Sequence, residues 1–266
     1  MALRRLDAEL TRRGLARSRE HARELIASGA VIVRGNVAAK PATQVNDFDS
    51  IVVHDEEAGH GYVSRGAVKL AGALDHFSGI TVNERLCLDA GASTGGFTEV
   101  LLRRGAAAVL AVDVGYGQLA WSLRTDDRVK VFERMNVRSM TAEDFPFRPD
   151  LVVADLSFIS LELVLPAMRE TAAQEADFVL MVKPQFEVGK EFVGDGVIRD
   201  PGLRASAVHK IATVASGLGL GTRDVVASSL PGPSGNVEFF LWLRAGVSAE
   251  DTLETMIDRA IQEGPQ

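Results

Sequence analysis

Cysteine is almost absent from this chain: Cys87 stands alone among 266 residues, which excludes an internal disulfide and a zinc cluster built on cysteines. Long apolar runs are missing too. The greasiest stretch, LVVADLSFISLELVLPAM, is broken by Asp155 and Glu162, and the opening MALRRLDAEL has no apolar core of the kind a signal peptide needs. The five histidines, His21, His54, His60, His76 and His209, show no metal-ligand spacing. These absences lead us to expect a reducing, cytoplasmic setting, no membrane span and no bound metal, with a monomer as the default state.

What is present fits a soluble globular protein, with 46% apolar and 24% charged residues and a length that allows one large domain plus a small appendage. The net charge of -7 hides an asymmetry. Residues 1–40 hold nine Lys/Arg against four Asp/Glu, whereas the rest holds twenty against thirty-two. A basic arm on an acidic body points to a polyanionic partner.

Residues 1–58 read as a unit of their own. Leu3, Leu6 and Leu10 fall at helical spacing and stop at Gly14; Ser18 is placed to cap a second helix whose Ala22, Leu25 and Ile26 face inward before Gly29. Strand-like AVIV, the turn Arg34-Gly35-Asn36 and a further strand at SIVV follow, giving two short helices and a hairpin. Arg12, Arg13, Arg17, Arg19 and Arg23 crowd the helices, with Arg4 before them and Arg34 and Lys40 around the turn. The string RLDAELTRRGLARSREHARELIASGAVIVRGNVAAKP resembles the S-four-type RNA-binding domain. That resemblance implies a basic face, here Arg4, Arg12, Arg17, Arg19, Arg23 and Lys40, presented to phosphates of folded RNA, where it orients more than it reads sequence.

Residues 59–64 belong to a linker of mixed charge and no periodicity, and 65–266 form the second domain. There Ala67, Leu70, Ala71, Leu74 and Phe77 make one helical stripe ended by Gly79, and the strand-like runs LCLD, VLAVD, VKVFE, LVVAD, FVLMV, DVVAS and EFFLWL alternate with helical segments. Apolar strands without polar alternation imply a mostly parallel sheet covered on both faces. The loop SLPGPSGNV is too short for a crossover helix, so the last strand should run antiparallel. A seven-stranded α/β sheet ending this way is similar to the Rossmann-like fold of methyltransferases that use S-adenosylmethionine.

After LCLD, the turn Gly91-Ala92-Ser93-Thr94-Gly95-Gly96 leads into the helix TEVLLRR, where glycines allow positive φ and bring a ligand against backbone at a helix N-terminus. Its glycine spacing differs from the dinucleotide G-x-G-x-x-G, and the Lys-Ser/Thr of a phosphate-binding loop is missing. The form DAGASTGGFT resembles the methionine-side loop of methyltransferases, implying cofactor contacts from Asp89, Gly91, Ala92, Ser93, Thr94 and Gly95. Asp113 ends the second strand twenty-two positions beyond Gly91, where an acid can accept both ribose hydroxyls of a nucleoside cofactor. Asn136, just past the third strand, is placed to meet the adenine, and Phe158 to wall the pocket.

Asp155 and Lys183 terminate apolar strands and Glu238 begins an antiparallel one, so topology alone brings these three charges to the carboxyl edge of the sheet. Lys69 lies four residues after Arg65 on one helix face. The order Lys69, Asp155, Lys183, Glu238 resembles the K-D-K-E tetrad of FtsJ-like RNA 2'-O-ribose methyltransferases. With VGYGQLAWSLR, ADLSFISL, VKPQFEVGK and LPGPSGNVEFFLWL, the chain is identified nearly end to end as a member of the TlyA (hemolysin A) family.

The resemblance implies S-adenosylmethionine-dependent 2'-O-methylation of cytidines in small- and large-subunit ribosomal RNA, linked to capreomycin and viomycin susceptibility. Extensions at both ends, including the helix AEDTLETMIDRAIQEG, resemble the longer family form that modifies both subunits. Lys183 is the expected central group, acting as a cation on the developing alkoxide or accepting its proton as a free amine. Target access requires flipping, with Phe158, Arg65 or Arg138 as aids. One departure is the linker His60-Gly61-Tyr62-Val63, where relatives lead us to expect a basic residue and a tryptophan before the valine. Cytosine C5 chemistry is disfavoured because Cys87 sits mid-strand, and base-amine methylation because ADLSF carries no prolines. Two alternatives are carried forward: a membrane-active hemolysin, and an RNA-binding protein with an inactive methyltransferase fold.

Overall fold

The computed structural model describes residues 3–13, 15–16, 18–46, 49–53, 61–194, 196–232, 234–248 and 252–265. Expectations resting on Gly14, Arg17, His54 and residues 59–60 lie outside them.

In the amino-terminal unit, helix α1 (Leu6–Arg12) packs on α2 (Arg19–Ala27), and the Ser18 hydroxyl caps α2 by accepting the His21 amide at 3.1 Å. Leu3 is 61% exposed and stands outside α1. Its neighbours Arg4–Arg5 form a short strand, β1, paired with β4 (Gln44–Val45), and the Thr43 carbonyl takes the first helical amide, from Leu6. The turn at Arg34 and Gly35, both at positive φ, joins β2 (Val31–Val33) to a short β3 (Asn36–Val37) rather than to SIVV. β5 (Ile51–Val53) instead returns on the other edge of β2, so the expected hairpin is a three-stranded sheet.

The second unit is built on seven strands: β6 (Leu86–Ala90), β7 (Ala108–Asp113), β8 (Val129–Glu133), β9 (Leu151–Ala154), β10 (Asp177–Val182), β11 (Leu220–Ala227) and β12 (Phe239–Ala245). Their order across the sheet is β8-β7-β6-β9-β10-β12-β11. β12 is antiparallel to both neighbours, and the pairs from β8 to β10 are parallel. Helices α3 (Arg65–His76), α4 (Gly96–Arg103) and α5 (Trp121–Arg124) cover one face, through Leu70, Phe77, Leu101 and Leu123. On the other face lie α6 (Leu165–Thr171), α8 (Pro201–Gly217) and α9 (Leu253–Glu263), with α7 (Pro184–Glu187) following β10.

Strand residues such as Leu88, Leu110, Val152 and Leu180 are fully buried between these layers, each large side chain contributing about 1.5–3 kcal/mol. Cys87 is one of them, and burial pushes its thiol up to about 12, consistent with a core role. The switch point lies between β6 and β9, where connections leave in opposite directions, so the crevice opens at the carboxyl ends of those strands.

Candidate active site

At that edge the backbone turns from β6 through Gly91, at φ +90°, and Gly95, at φ +100°, into α4. A Cβ on Gly91 would sit 2.5 Å from the Asp155 carbonyl oxygen, so only glycine lets this loop pass the end of β9. Asp113, at the end of β7, holds the loop: its Oδ2 accepts the Ser93 amide at 2.8 Å and its Oδ1 the Gly115 amide at 2.6 Å. A recess bordered by Ser93, Asp113, Gly115, Gln118, Val131 and Glu133 adjoins it.

These features fit S-adenosylmethionine. The glycine turn and the N-terminus of α4 suit the methionine end, and the Asp113 recess suits the adenosyl end.

Three of the expected cofactor residues are placed differently. Asp89 is fully buried behind the loop; Thr98 of α4 donates to its Oδ2 at 2.7 Å, and burial pushes its carboxyl up to about 7. Flanked by core strands on both sides, it braces α4 instead of lining the cleft. Asn136 is exposed and its side chain is committed to the Arg138 amide at 3.0 Å, which caps a 3-10 turn. Phe158, at φ +65° and 90% exposed, lies outside the cleft lining, with its ring centroid 5.3 Å from that of Phe186.

The four expected transfer residues converge. Lys69 and Glu238 are both buried and joined Nζ to Oε2 at 2.6 Å. Lys183 lies 2.6 Å from Asp155 Oδ1, a charge contact off the angle of a directed hydrogen bond, and donates to the Ser157 hydroxyl at 3.0 Å. Lys69 comes from α3, whose Gly66 passes close to Phe97 and Asp155, while Gly96 of α4 abuts Ser64 and the Ala67 amide. This small-residue contact draws α3 against the cofactor loop. A Cβ on Gly232 would lie 2.6 Å from Glu238 Oε1, so the PGPSG loop is glycine-bearing where it wraps the carboxylate.

Sequence reasoning did not find Ser157, Ser64 or Gly232; the only signal for them was proximity to Asp155, Arg65 and Glu238 along the chain.

The cleft, about 820 Å³, is walled by both units: Lys69, Asp155, Lys183 and Glu238 on one side, with Thr11 and His21 among the amino-terminal residues facing them. Ser50 of that unit donates to the Gly117 carbonyl, in the loop beside the Asp113 recess. The linker is fastened to α4, with the Val63 amide on Glu99 Oε2 at 2.6 Å and the Arg103 guanidinium 4.3 Å from the Tyr62 ring centroid. Tyr62 thus supplies an aromatic face where a tryptophan was expected.

Of the expected RNA contacts, Arg65 is exposed and borders the cleft, and Lys40 and Arg138 are exposed. The helical arginines are organised differently from a free basic face. Arg5, Arg19 and Arg23 converge on Asp7, and Arg4, Arg12 and Arg13 on Glu9, two carboxylates with no exposure. For Asp7, burial raises the pKa, but the Arg5 and Arg19 hydrogen bonds outweigh it and leave about 2; for Glu9, the Arg12 hydrogen bond overcomes burial and also leaves about 2. Among the described residues no cluster of His, Cys, Asp and Glu could hold a metal.

A sheet of this order with a glycine loop after its first strand and an acid after its second defines a class I methyltransferase, dependent on S-adenosylmethionine. The FtsJ-like methyltransferase family matches residues 62–245, and the S4 domain family matches residues 4–51. The chain is 60% identical over 267 aligned positions to a Mycobacterium tuberculosis protein named 16S/23S rRNA (cytidine-2'-O)-methyltransferase TlyA, with 98% of each covered. It is 36% identical to Hemolysin A of Brachyspira hyodysenteriae, over 88% of this chain and 97% of that one. Among solved structures, a Streptococcus thermophilus protein described as a hemolysin superposes with a TM-score of 0.78 at 35% identity, covering 99% of this chain and 97% of its own. The chain belongs to the TlyA family of FtsJ-like methyltransferases.

Proposed function

We propose that this enzyme methylates the 2'-hydroxyl of cytidines in both small- and large-subunit ribosomal RNA, acting in the cytoplasm as a monomer, with the S4 unit docking on folded RNA. The observation that carries this reading is the pair of lysine–carboxylate contacts, Lys183–Asp155 and Lys69–Glu238, on one cleft beside the cofactor loop and opposite the S4 unit. Support for both subunits comes from the named activity of the mycobacterial relative and from α9, which packs on β11 and α8 as part of the domain.

Bound S-adenosylmethionine supplies an already activated sulfonium methyl. The residues therefore have to orient a ribose hydroxyl and favour its alkoxide. Lys183 has three N–H donors; Ser157 takes one, Asp155 lies against the ammonium as a countercharge, and donor capacity is left for the ribose oxygen. Its charge stabilises the developing alkoxide in a site where it is largely shielded from water. Glu238 holds Lys69 as the second cation. Gly91 to Gly95 and Asp113 would hold the cofactor, and Arg65, which borders the cleft, meets the displaced nucleotide. Arg4, Arg12, Arg17, Arg19, Arg23, Lys40 and Arg138 contact phosphates around it.

The test is transfer of radiolabelled methyl from S-adenosylmethionine to purified ribosomal subunits lacking the modification, mapped by nuclease digestion and mass spectrometry. Label on a cytidine ribose in each subunit is expected, and capreomycin and viomycin susceptibility should rise with it. Label on a base, or none while the cofactor binds, overturns the reading. The hemolysin name of two relatives motivates a parallel liposome-leakage assay; among the described residues no helix is long and apolar enough to cross a membrane.

A further inference from the structure

One buried carboxylate beside the transfer site has no part in the ribose chemistry. Glu187 ends α7, one turn after Lys183, and is 5% exposed. Its Oε2 accepts the Ser160 hydroxyl at 2.5 Å and its Oε1 the Leu161 amide at 2.8 Å. Among the described residues its carboxylate has no salt-bridge partner; Lys210 donates to the Glu187 carbonyl at 3.3 Å and pairs with Glu162 at 2.7 Å. A carboxylate held in the interior without a direct ion pair is costly unless its oxygens are filled, and here both are filled by the same short segment.

That segment, residues 155–161, leaves β9 carrying Asp155, Ser157 and Phe158. It meets residues 183–187 at several points: Lys183 with Asp155 and Ser157, Phe186 with Phe158, and Glu187 with Ser160 and Leu161. The first two contacts form the reactive end. The Glu187 contacts lie at the far end, at the start of the 3-10 turn Leu161–Leu163, where the Leu161 side chain is also buried in the core.

We propose that Glu187 is a positioning residue: by tying Ser160 and Leu161 to α7 it fixes segment 155–161 so that Asp155 and Ser157 meet the Lys183 ammonium. This rests on the proposed role of Lys183. The strut works through hydrogen bonds, so a carboxamide should replace the carboxylate. Its oxygen accepts from Leu161, its NH2 donates, and the Ser160 hydroxyl turns from donor to acceptor.

The experiment compares the full-length chain with Glu187→Ala, Glu187→Gln and Ser160→Ala. Hydrogen exchange of a peptide spanning residues 156–164 is read on the free proteins, and single-turnover methyl transfer is read on unmodified subunits. Glu187→Ala should speed exchange at Leu161 about 10-fold and slow transfer about 10- to 100-fold, the range a displacement near 1 Å produces, with cofactor Kd within about twofold. Glu187→Gln should restore most of the rate, and Ser160→Ala should lose less than Glu187→Ala.

Unchanged exchange or an unchanged rate in Glu187→Ala overturns the proposal, as does Glu187→Gln matching Glu187→Ala in rate. If Glu187→Ala does not fold, unchanged exchange and rate in Ser160→Ala overturn it. Wild-type protein that transfers no methyl to either subunit sinks the functional reading instead, and the exchange measurements then decide the strut by themselves.

Discussion

Lys69 Nζ and Glu238 Oε2 are 2.6 Å apart although 169 residues separate them in sequence, and both side chains are buried. Removing one partner of a buried pair leaves the other charged and unsatisfied, which costs about 3–5 kcal/mol. Glu238→Ala should therefore lose thermal stability as well as methyl transfer. The double variant Lys69→Met with Glu238→Leu should regain stability but not activity. A double variant as unstable as the single one would show that the pair does not act as a unit.

Lys183→Ala is expected to lower single-turnover transfer by at least the 10²- to 10⁴-fold typical of a positioned acid–base group, while leaving cofactor affinity nearly intact. Calorimetric titration with S-adenosylmethionine alongside the transfer assay separates the two. Near-normal transfer would remove Lys183 from the reaction.

Gly91→Ala should fail for a backbone reason. The residue sits at φ +90° and its new methyl would lie 2.5 Å from the Asp155 carbonyl oxygen, so the loop has to move off the end of β9. Cofactor affinity should fall about 10-fold or more, with a loss of about 1–3 kcal/mol of stability from the strained conformation. Wild-type affinity in this variant would mean that the loop is not the methionine cradle.

Asp89 gives a pH dependence of defined sign. Its folded-state pKa of about 7 lies above the ordinary carboxylate range, so between about pH 4 and 7 the folded chain binds more protons than the unfolded chain. This group makes stability decline as pH rises through that window, with the full cost present above pH 7. Asp89→Asn keeps an acceptor for Thr98 and removes the titration. The melting-temperature gain of the variant over wild type should be larger at pH 8 than at pH 5, and a pH-independent difference would contradict the burial argument.

The amino-terminal unit should behave in the opposite sense. Asp7 and Glu9 are both held at about 2, so their stabilisation is complete above about pH 4.5 and is lost as pH falls toward 2. Amide NMR signals of α1 should disperse normally at pH 5 and collapse on acidification before those of β6 and β9. Collapse of both units together would place the acid-labile groups elsewhere.

The central strands were legible because parallel strands covered on both faces must be mostly apolar, as LVVA and the FVLMV of β10 are. Asp155, Lys183 and Glu238 were legible because charges at the ends of such strands have one edge to occupy. Other features were set by contacts across the chain. Leu3 kept a helical spacing that the pairing of Arg4–Arg5 with Gln44–Val45 overrode, and Asp89 looked like a ligand residue until core strands enclosed it. Asp7 and Glu9 stood where a solvated helix face would, and only folding brings the surrounding arginines over them. Glu187 gave no signal, since its partners lie 26 and 27 residues away.

The ring of arginines around Asp7 and Glu9 bears on the entropy of recognition. Six guanidiniums against two carboxylates leave four net positive charges, and that sum sets the salt dependence of a phosphate contact. A long side chain confined on binding loses about 1.5–2 kcal/mol of rotamer freedom. Guanidiniums already gripped by buried carboxylates have lost most of theirs during folding, so less remains to be lost when a phosphate arrives. Lysine at the same positions would preserve the charge sum and the salt slope but not the planar fork, and would bind RNA with poorer orientation at similar ionic-strength dependence.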